Sequence, residues 1–441
     1  MDPPGGEGPE NARRAYLREF LAAGIEGHRT RELQDEILIL EASATATVDG
    51  EEIGYRRLPV AIRREADRGR RARLEKARLE VVSDRLNPLH LVALERAHGV
   101  ADELLGASYE AYCERLSGID FDALERRTEA FLEETRELHL DLLGHYVGRL
   151  LPEADLEDLR IHDLARLLHG HRFERLFPGD EMVARIEGTV SAMGLDPTAQ
   201  GRIEFDLEER PGKSPRAFCA AVRVPEEIKL VILPHGGHDD WATFLHELGH
   251  ALHFAHVDPE SPMEFRRLGD NGVTEAYAMT FDHLLHLPPF LRRVVGVGSI
   301  EDFPRFAAFR DLVMIRRYAA KFSYERSLHR DGAGSDRARE YVERLTEATG
   351  ARAPEALYLE DVDPHFYCVR YLRAWMLAGA LHRTLRERFG EEWFRDPRAG
   401  ELLTSAWSSG QRHRAETLAR EELGVEELTF EPVMEMIRER V

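Results

Sequence analysis

Cysteine is scarce in this chain of 441 residues, which contains only Cys113, Cys219 and Cys368. Their number is odd, their spacings are wide, and no C-x-x-C pair occurs. A disulfide framework needs an even set of cysteines. We therefore expect none, and the composition is typical of a reducing compartment.

Long apolar segments are also missing. No run of about 18 apolar residues occurs, so no membrane-spanning helix is expected. The first residues, Met1 to Gly6, have neither the basic nor the apolar region of a secretory signal. These absences predict a cytoplasmic protein with no membrane partner.

Basic residues are fewer than acidic ones: the chain has 60 lysines and arginines and 81 aspartates and glutamates, which gives a net charge of −21. Nonspecific binding of nucleic acid needs a basic surface that displaces counterions. An arginine-rich stretch runs from Arg63 to Arg73, but Glu65 and Asp67 interrupt it, as in a solvated helix face. We expect no nucleic-acid partner. The oligomeric state is left open.

Hydrophobic periodicity predicts a mainly α fold. From Ala12 to about Met193 apolar residues recur at helical spacing. One break, residues 43–48, closed by Asp49-Gly50, predicts a small hairpin. Alternation and turns between Ile203 and Leu233 predict three short strands, after which helical periodicity resumes.

The same pattern divides the chain into three segments. Residues 1–10 are rich in proline, glycine and glutamate, which predicts a disordered tail. Residues 11–200 are predicted to form a helical N-terminal subdomain, and residues 201–441 a catalytic subdomain that begins with the strands.

Residues 246–250 read His-Glu-Leu-Gly-His. Two histidines four residues apart on a helix face the same direction, so both imidazoles can bind one metal ion. A glutamate directly after the first histidine can act as a general base. The motif predicts a zinc helix with His246 and His250 as ligands and Glu247 as the base.

The surrounding residues fit a helix with one buried face. Apolar residues recur from Trp241 to Ala255 on a face that the histidines do not share. Asp239 or Asp240 is a suitable N-cap for its start. Gly249 has no side chain and is expected to let a substrate backbone come close to the metal.

The third ligand has two candidates. A mononuclear catalytic zinc has three protein ligands and keeps one position open. Glu275 lies on a later helical stretch that the intervening loop lets fold back against the first. His256 is the alternative, but the motif that uses such a histidine has a glycine where His253 stands. The comparison favours Glu275, with one zinc ion per chain.

These motifs resemble the thimet oligopeptidase and oligoendopeptidase F family of zinc metallopeptidases. The resemblance is concentrated in residues 200–290. Its zinc-helix part is the stretch 243–253, and its active-site sheet is matched by three short stretches: Phe205-Asp206-Leu207, Pro211-Gly212-Lys213-Ser214 and Ala217-Phe218-Cys219.

The resemblance implies a large helical body that encloses a channel, with a small β-sheet beside the zinc helix. It also implies cleavage of short peptides, because a channel excludes folded proteins. His246, His250 and Glu275 match the family's metal ligands, and Glu247 matches its base.

The family also has a histidine followed by several tyrosines near its C-terminus, which contact the substrate and the oxyanion. His365 and Tyr371 match part of this series, but Arg373 and Trp375 stand where hydroxyls are expected. The resemblance implies His365 and Tyr371 as catalytic residues. Tyr367 or an arginine is the alternative oxyanion donor.

The sequence thus predicts a zinc-dependent metalloendopeptidase that hydrolyses short peptides. Two alternatives stay open. A metallocarboxypeptidase can share the same zinc helix and downstream glutamate, and a peptide-binding protein can retain zinc with little activity. The interrupted tyrosine series is the feature that favours the second alternative.

Overall fold

The structure is a computed structural model and describes residues 8–210, 213, 217–298 and 302–441. Its fold is mainly helical with a small amount of sheet, as predicted. The helices before the larger sheet are α1 (Pro9–Ser43), α2 (Leu58–Arg64), α3 (Arg68–Val81), α4 (Asn87–Leu105), α5 (Tyr109–Ser117), α6 (Phe121–Glu134), α7 (Arg136–Leu150), α8 (Ile161–His169) and α9 (Met182–Ala192).

Helices also make up most of the chain after that sheet. They are α10 (His238–Ala255), α11 (Met263–Arg267), α12 (Asn271–Asp282), α13 (Pro288–Phe290), α14 (Asp302–Asp331), α15 (Ser335–Thr349), α16 (Cys368–Phe389), α17 (Pro397–Ser408), α18 (Ala415–Leu418) and α19 (Glu431–Arg438). Within the described ranges, none of the helices is both long enough and apolar enough to cross a bilayer.

The predicted hairpin is present as β1 (Thr45–Val48) paired antiparallel with β2 (Glu51–Gly54). Asp49 and Gly50 join the two strands with positive φ values of 54° and 84°. A two-residue turn of this hand matches the natural twist of the strands, and Asp-Gly tolerates it. The local sequence therefore determines this element.

The predicted strands after Gly201 form one sheet of β3 (Ile203–Asp206), β4 (Phe218–Arg223) and β5 (Glu227–Val231). β5 is central, parallel to β3 and antiparallel to β4, which leaves β4 at an edge. Of the stretch Pro211-Gly212-Lys213-Ser214, the described residues include only Lys213. Its ammonium donates to the carbonyl oxygens of Asp206 at 2.8 Å and Ile232 at 3.1 Å.

Two compact units make up the chain. The first contains the described residues of Met1–Leu17, Arg172–Asp311 and Arg370–Val441, and the second contains Arg18–His171 and Leu312–Val369. The units are interleaved, whereas the predicted subdomains 11–200 and 201–441 are consecutive. The reason is that α1, α14 and α16 each continue from one unit into the other. The functional division stays a prediction.

The predicted tail 1–10 falls partly outside the described residues, which begin at Gly8. Pro9 and Glu10 belong to α1, so the prediction of disorder is wrong for them. Proline suits the first turn of a helix because its φ is already helical and its missing N–H has no partner there in any case.

The second unit has an apolar core in which the N-terminal helix, the hairpin and later helices meet. Leu33 and Ile37 of α1 pack with Val48 of β1, with Leu74 of α3 and with Tyr324 of α14. Contacts between segments so distant in sequence explain why residues 312–369 fold with the N-terminal helices.

In the first unit, α10 packs against α12 and against β4 and β5. Its apolar face is buried as predicted, with Trp241, Leu245, Leu248 and Leu252 each at most 1% exposed. Burying this face fixes the rotation of α10, and hence the direction in which its histidines point.

Candidate metal centre

α10 begins after Gly237, whose φ is 88°, and no side chain caps it. The prediction that Asp239 or Asp240 caps this helix is therefore wrong. Asp240 instead accepts hydrogen bonds from the backbone N–H groups of His235, at 2.6 Å, and Gly236, at 2.9 Å. The carboxylate closes the loop before the helix, and a positive φ is a conformation that glycine adopts at little cost.

His246, His250 and Glu275 lie together, with one donor atom of each within 4.8 Å of the others. Oε2 of Glu275 is 3.4 Å from Nε2 of His246 and 3.7 Å from Nε2 of His250. Zinc distances of about 2.0–2.2 Å in a tetrahedral site separate neighbouring donors by about 3.3–3.6 Å. Two imidazoles and a carboxylate at these separations fit a zinc ion.

The second ring nitrogen of His246 and of His250 also makes a polar contact. Nδ1 of His246 donates to Oδ2 of Asp282 at 2.8 Å, and Nδ1 of His250 lies 2.9 Å from Oγ1 of Thr274. A contact of this kind fixes the orientation of a metal-binding imidazole and leaves Nε2 for the metal. Both histidines are thus held with Nε2 towards Glu275.

The charges around His246 favour a cation. Burial lowers the pKa of His246, but hydrogen bonds to Asp282 and Glu275 outweigh it and raise the pKa to about 10. Burial and the neighbouring His246 lower the pKa of His250 to about 4. Two carboxylates beside one imidazole stabilise positive charge, which a metal ion can supply in place of a proton.

Glu247 is anchored to the edge strand. Its Oε2 accepts a hydrogen bond from the backbone N–H of Cys219 on β4 at 2.8 Å. Burial raises the pKa of Glu247, with His246 opposing the shift. A carboxylate whose pKa is raised towards neutrality is better matched to proton transfer at neutral pH.

Gly249 does not face open space. A Cβ built there would lie 2.7 Å from Cα of Ala278 and 2.9 Å from the carbonyl oxygen of Tyr277, both on α12. The expectation that Gly249 makes room for substrate is therefore wrong. Its lack of a side chain lets α10 and α12 approach closely, which brings Glu275 to the two histidines.

The start of α12 is fixed by a buried charge network. Asp270 is its N-cap and accepts from the N–H of Gly272 at 3.0 Å. Arg373 donates to both oxygens of Asp270, at 3.0 Å and 2.7 Å, and also pairs with Glu416. Arg373 is therefore committed to holding the helix that carries Glu275, which excludes it as the oxyanion donor.

His256, the alternative ligand, is not part of this cluster. Its Nδ1 lies 2.8 Å from the carbonyl oxygen of Leu252, and its ring centroid lies 5.6 Å from that of Trp407. His253 is fully buried, with Nδ1 3.2 Å from Oγ1 of Thr274. The geometry thus brings together the ligand set that the sequence comparison favoured.

His365 and Tyr371 fall in different compact units, the second and the first respectively. His365 is half-buried, and its Nε2 lies 3.4 Å from Oε1 of Glu26. Tyr371 is also half-buried, with its ring centroid 6.3 Å from that of Trp375. The catalytic roles of His365 and Tyr371 stay predictions.

A second group of potential metal ligands lies in the second unit, formed by Glu325, Asp363 and Cys368. The ammonium group of Lys321 already pairs with these carboxylates, since its Nζ lies 2.8 Å from Asp363 and 3.7 Å from Glu325. Burial, with the charge of Glu325, raises the pKa of Cys368 well above its ordinary value. The ammonium and a thiol that holds its proton both oppose metal binding.

Asp282 and Thr274 are the residues of the centre that the sequence analysis missed. Both flank Glu275 on α12, and Asp282 follows it by seven residues, which is two helical turns on the same face. That spacing is a usable signal. Threonine one residue before a ligand is too common to indicate its contact with His250.

Solved structures share this fold over nearly the whole chain. One provisionally named oligoendopeptidase F has a TM-score of 0.68 and 14% identity, and the match covers 97% of this chain and 79% of that one. PZ peptidase A with an inhibitor has a TM-score of 0.66 and 13% identity, over 96% of this chain and 80% of its own. A provisionally named oligoendopeptidase F from Bacillus anthracis str. Ames has a TM-score of 0.65 and 13% identity, over 98% of this chain and 78% of its own.

No family model and no curated protein matches the sequence. At identities of 13–14% the structural likeness establishes the fold. The chain therefore has the fold of the oligoendopeptidase F structures, and the resemblance seen in the sequence is confirmed at that level.

Proposed function

We propose that this protein is a zinc-dependent metalloendopeptidase that hydrolyses short peptides. The observation that carries the proposal is the convergence of His246, His250 and Glu275, with Glu247 beside them on α10. The shared fold supports the class of reaction, because the similar structures are named oligoendopeptidase F and PZ peptidase A.

His246, His250 and Glu275 would hold one zinc ion per chain. Bound zinc would supply Lewis acidity, which lowers the pKa of the attacking water and polarises the peptide carbonyl. Asp282 and Thr274 hold the two imidazole rings in the orientation that the ligand set needs.

Glu247 would be the general base. Its carboxylate takes a proton from the attacking water and passes it to the leaving amine. The hydrogen bond from Cys219 fixes the carboxylate of Glu247 beside β4. Among the described residues that strand lies at an edge of the sheet, and an extended peptide can pair with an edge strand.

His365 and Tyr371 are proposed as donors to the developing oxyanion. Both side chains are half-buried, which leaves part of each accessible. Arg373 is excluded from this role by its buried pairing with Asp270. Tyr367, also half-buried, or an arginine other than Arg373 is the remaining alternative.

The test compares Glu247→Gln with wild type and with Glu260→Gln, a control at an exposed glutamate. We expect Glu247→Gln to retain zinc and to lose at least about 100-fold in kcat, because it removes the base. The control should keep both. Zinc is measured by metal analysis, and turnover on peptides blocked at both termini.

Two results would count against the proposal. Near wild-type turnover by Glu247→Gln would exclude Glu247 as the base. Cleavage restricted to peptides with a free C-terminus would show a carboxypeptidase instead.

A further inference from the structure

His365 lies on a short turn with an unusual backbone. His365 and the next residue, Phe366, have φ values of 54° and 51°. Residues other than glycine seldom adopt this left-handed conformation, so surrounding contacts must hold it. Such positions are concentrated where a side chain has to point in one direction for function.

Both ends of the turn are attached to Glu325 of α14. Its carboxylate accepts from the N–H of Asp363 at 2.8 Å and from Sγ of Cys368 at 3.2 Å. Between these anchors Phe366 packs against Phe121, with their ring centroids 5.0 Å apart. The backbone beneath His365 is therefore fixed by contacts within the second unit.

The imidazole of His365 is held separately, by α1 and α5. Its Nε2 lies 3.4 Å from Oε1 of Glu26. The N–H of His365 donates to Oη of Tyr109 at 3.2 Å, and that hydroxyl donates to Oε1 of Glu26 at 3.4 Å. Glu26, Tyr109 and His365 thus form a closed network around one carboxylate oxygen.

Glu26 stands where helix packing alone would favour an apolar residue. The buried face of α1 includes Ala22, Thr30, Leu33 and Ile37, and Glu26 lies among them at 7% exposure. Its second oxygen, Oε2, is buried without a hydrogen-bond partner. A buried carboxylate destabilises a protein unless it is paired, and the basic partner that the structure gives it is His365.

The groups around this pair include phenols, a thiol, carboxyls and a second imidazole. Tyr109, Tyr112 and Cys113 of α5 interact with Glu26, and Glu19 and Glu325 interact with Cys113. His329 of α14 interacts electrostatically with His365. Burial raises the pKa of Glu26 to about 7, with the hydrogen bond from Tyr109 opposing the shift. The carboxyl group of Glu26 can therefore carry a proton near neutrality.

We propose that Glu26 is the positioning residue of His365 and keeps Nδ1 of its ring protonated as a hydrogen-bond donor. The inference rests on the proposed function, in which His365 donates to the oxyanion. When the pair holds two protons, either the imidazole is charged or the carboxyl is neutral and donates to Nε2. In both states Nδ1 carries hydrogen, and the carboxyl pairing fixes the ring.

The kinetic test uses Glu26→Gln, which keeps the size of the side chain, and Glu32→Gln, a control at an exposed position of α1. Loss of a hydrogen bond to a charged group predicts a fall of about 10- to 100-fold in kcat for Glu26→Gln, with KM nearly unchanged. The control should match wild type. In a His365→Gln background, Glu26→Gln should cause no further loss.

The spectroscopic test is independent of activity. Histidine labelled with nitrogen-15 reports which ring nitrogens carry protons, and the His365 signal is the one lost in His365→Gln. At neutral pH we expect Nδ1 of His365 to carry a proton in wild type, and the proton to be on Nε2 alone in Glu26→Gln. Circular dichroism checks the fold of each variant, and Glu26→Asp, which retains a carboxylate, should keep the proton on Nδ1.

Two outcomes would overturn the inference: identical ring protonation in wild type and Glu26→Gln, or an equal loss of kcat from Glu26→Gln with and without His365. If wild-type protein loaded with zinc cleaves no peptide, the proposed function fails, and the NMR comparison still decides whether Glu26 positions His365.

Discussion

His246 and His250 each use both ring nitrogens, and this sets the properties of the candidate centre. Nε2 of each ring faces Glu275, while Nδ1 contacts Asp282 for one ring and Thr274 for the other. A carboxylate behind an imidazole increases its basicity, whereas a hydroxyl mainly orients it. The two rings are therefore not equivalent as candidate ligands.

Replacing Asp282 by asparagine tests this difference. The amide keeps the shape but removes the negative charge behind His246, so we expect zinc affinity to fall about 10- to 100-fold. Affinity is measured by competition with a chromogenic chelator. Asp336→Asn, at an exposed residue of α15, is the control and should bind zinc as wild type does. Equal affinities for all three proteins would rule out a role for Asp282.

At the scale of elements, the close approach of α10 and α12 is what assembles the centre. Gly249 allows that approach, because any side chain there meets the backbone of Ala278. Asp270 and Arg373 fix where α12 begins. The position of Glu275 thus depends on packing and capping as much as on its own side chain.

Gly249→Ala should separate the two helices. Overpacking against rigid backbone predicts a loss of about 1–3 kcal/mol in the free energy of unfolding, together with weaker zinc binding. Gly99→Ala on α4 is the matched control, since its Cβ would meet no atom within 4 Å. Alanine loses less backbone entropy on folding than glycine does, so the control is expected to gain about 0.5–1 kcal/mol in the free energy of unfolding. Urea unfolding measures both variants, and equal free energies of unfolding for Gly249→Ala and Gly99→Ala would contradict this prediction.

Asp270→Asn should destabilise the first unit. Removing Asp270 as a charge leaves the buried Arg373 with only the partly exposed Glu416 as its partner. Breaking a buried ion pair in this way costs about 3–5 kcal/mol. A matched control is Asp396→Asn, an N-cap of α17 that is not part of a buried pair. Asparagine caps a helix about as well as aspartate, so we expect this control to lose less than about 1 kcal/mol in the free energy of unfolding. Urea unfolding at neutral pH distinguishes these values.

The same pair predicts a pH dependence. Burial raises the pKa of Asp270, but the charges of Arg373 and Arg370 outweigh it and hold the pKa below its ordinary value. Such a carboxyl stabilises the fold above its unfolded pKa of about 3.9 and loses that contribution as the pH falls. Between about pH 5 and about pH 3, wild type should therefore lose more stability than Asp270→Asn. Parallel curves would show that the pair is not ionised.

At the scale of the whole molecule, two features matter most: the net charge of −21 and the path of the chain. The chain passes from one compact unit to the other within α1, within α14 and within α16. Each unit thus contains residues from both halves of the sequence. A truncation near residue 200 would therefore remove part of both cores.

The net charge predicts no affinity for nucleic acid. Without a basic surface, counterion release cannot drive binding. Fluorescence anisotropy of a labelled duplex should stay constant up to micromolar protein at about 0.1 M salt. A rise in anisotropy that falls steeply as salt is added would contradict this prediction.

Local patterns were enough to predict several parts of the fold. The Asp49-Gly50 turn, the strands after Gly201 and the buried face of α10 follow from short-range chemistry. The motif around His246 and His250 is likewise local, because helical geometry alone places both imidazoles on one side. Glu275 joined the set through resemblance to a known motif, and its position beside them depends on helix packing.

What remained hidden depends on contacts between distant segments. Nothing near Gly249 in the sequence indicates that α12 packs on it, nothing near Asp240 indicates that it closes a loop, and nothing in α1 connects Glu26 with His365. The sequence by itself determined the helices, the strands and the chemistry of the candidate ligands, since these follow from residue type and periodicity. Only the tertiary structure decided which groups hold those ligands, because such pairings depend on how separate helices pack.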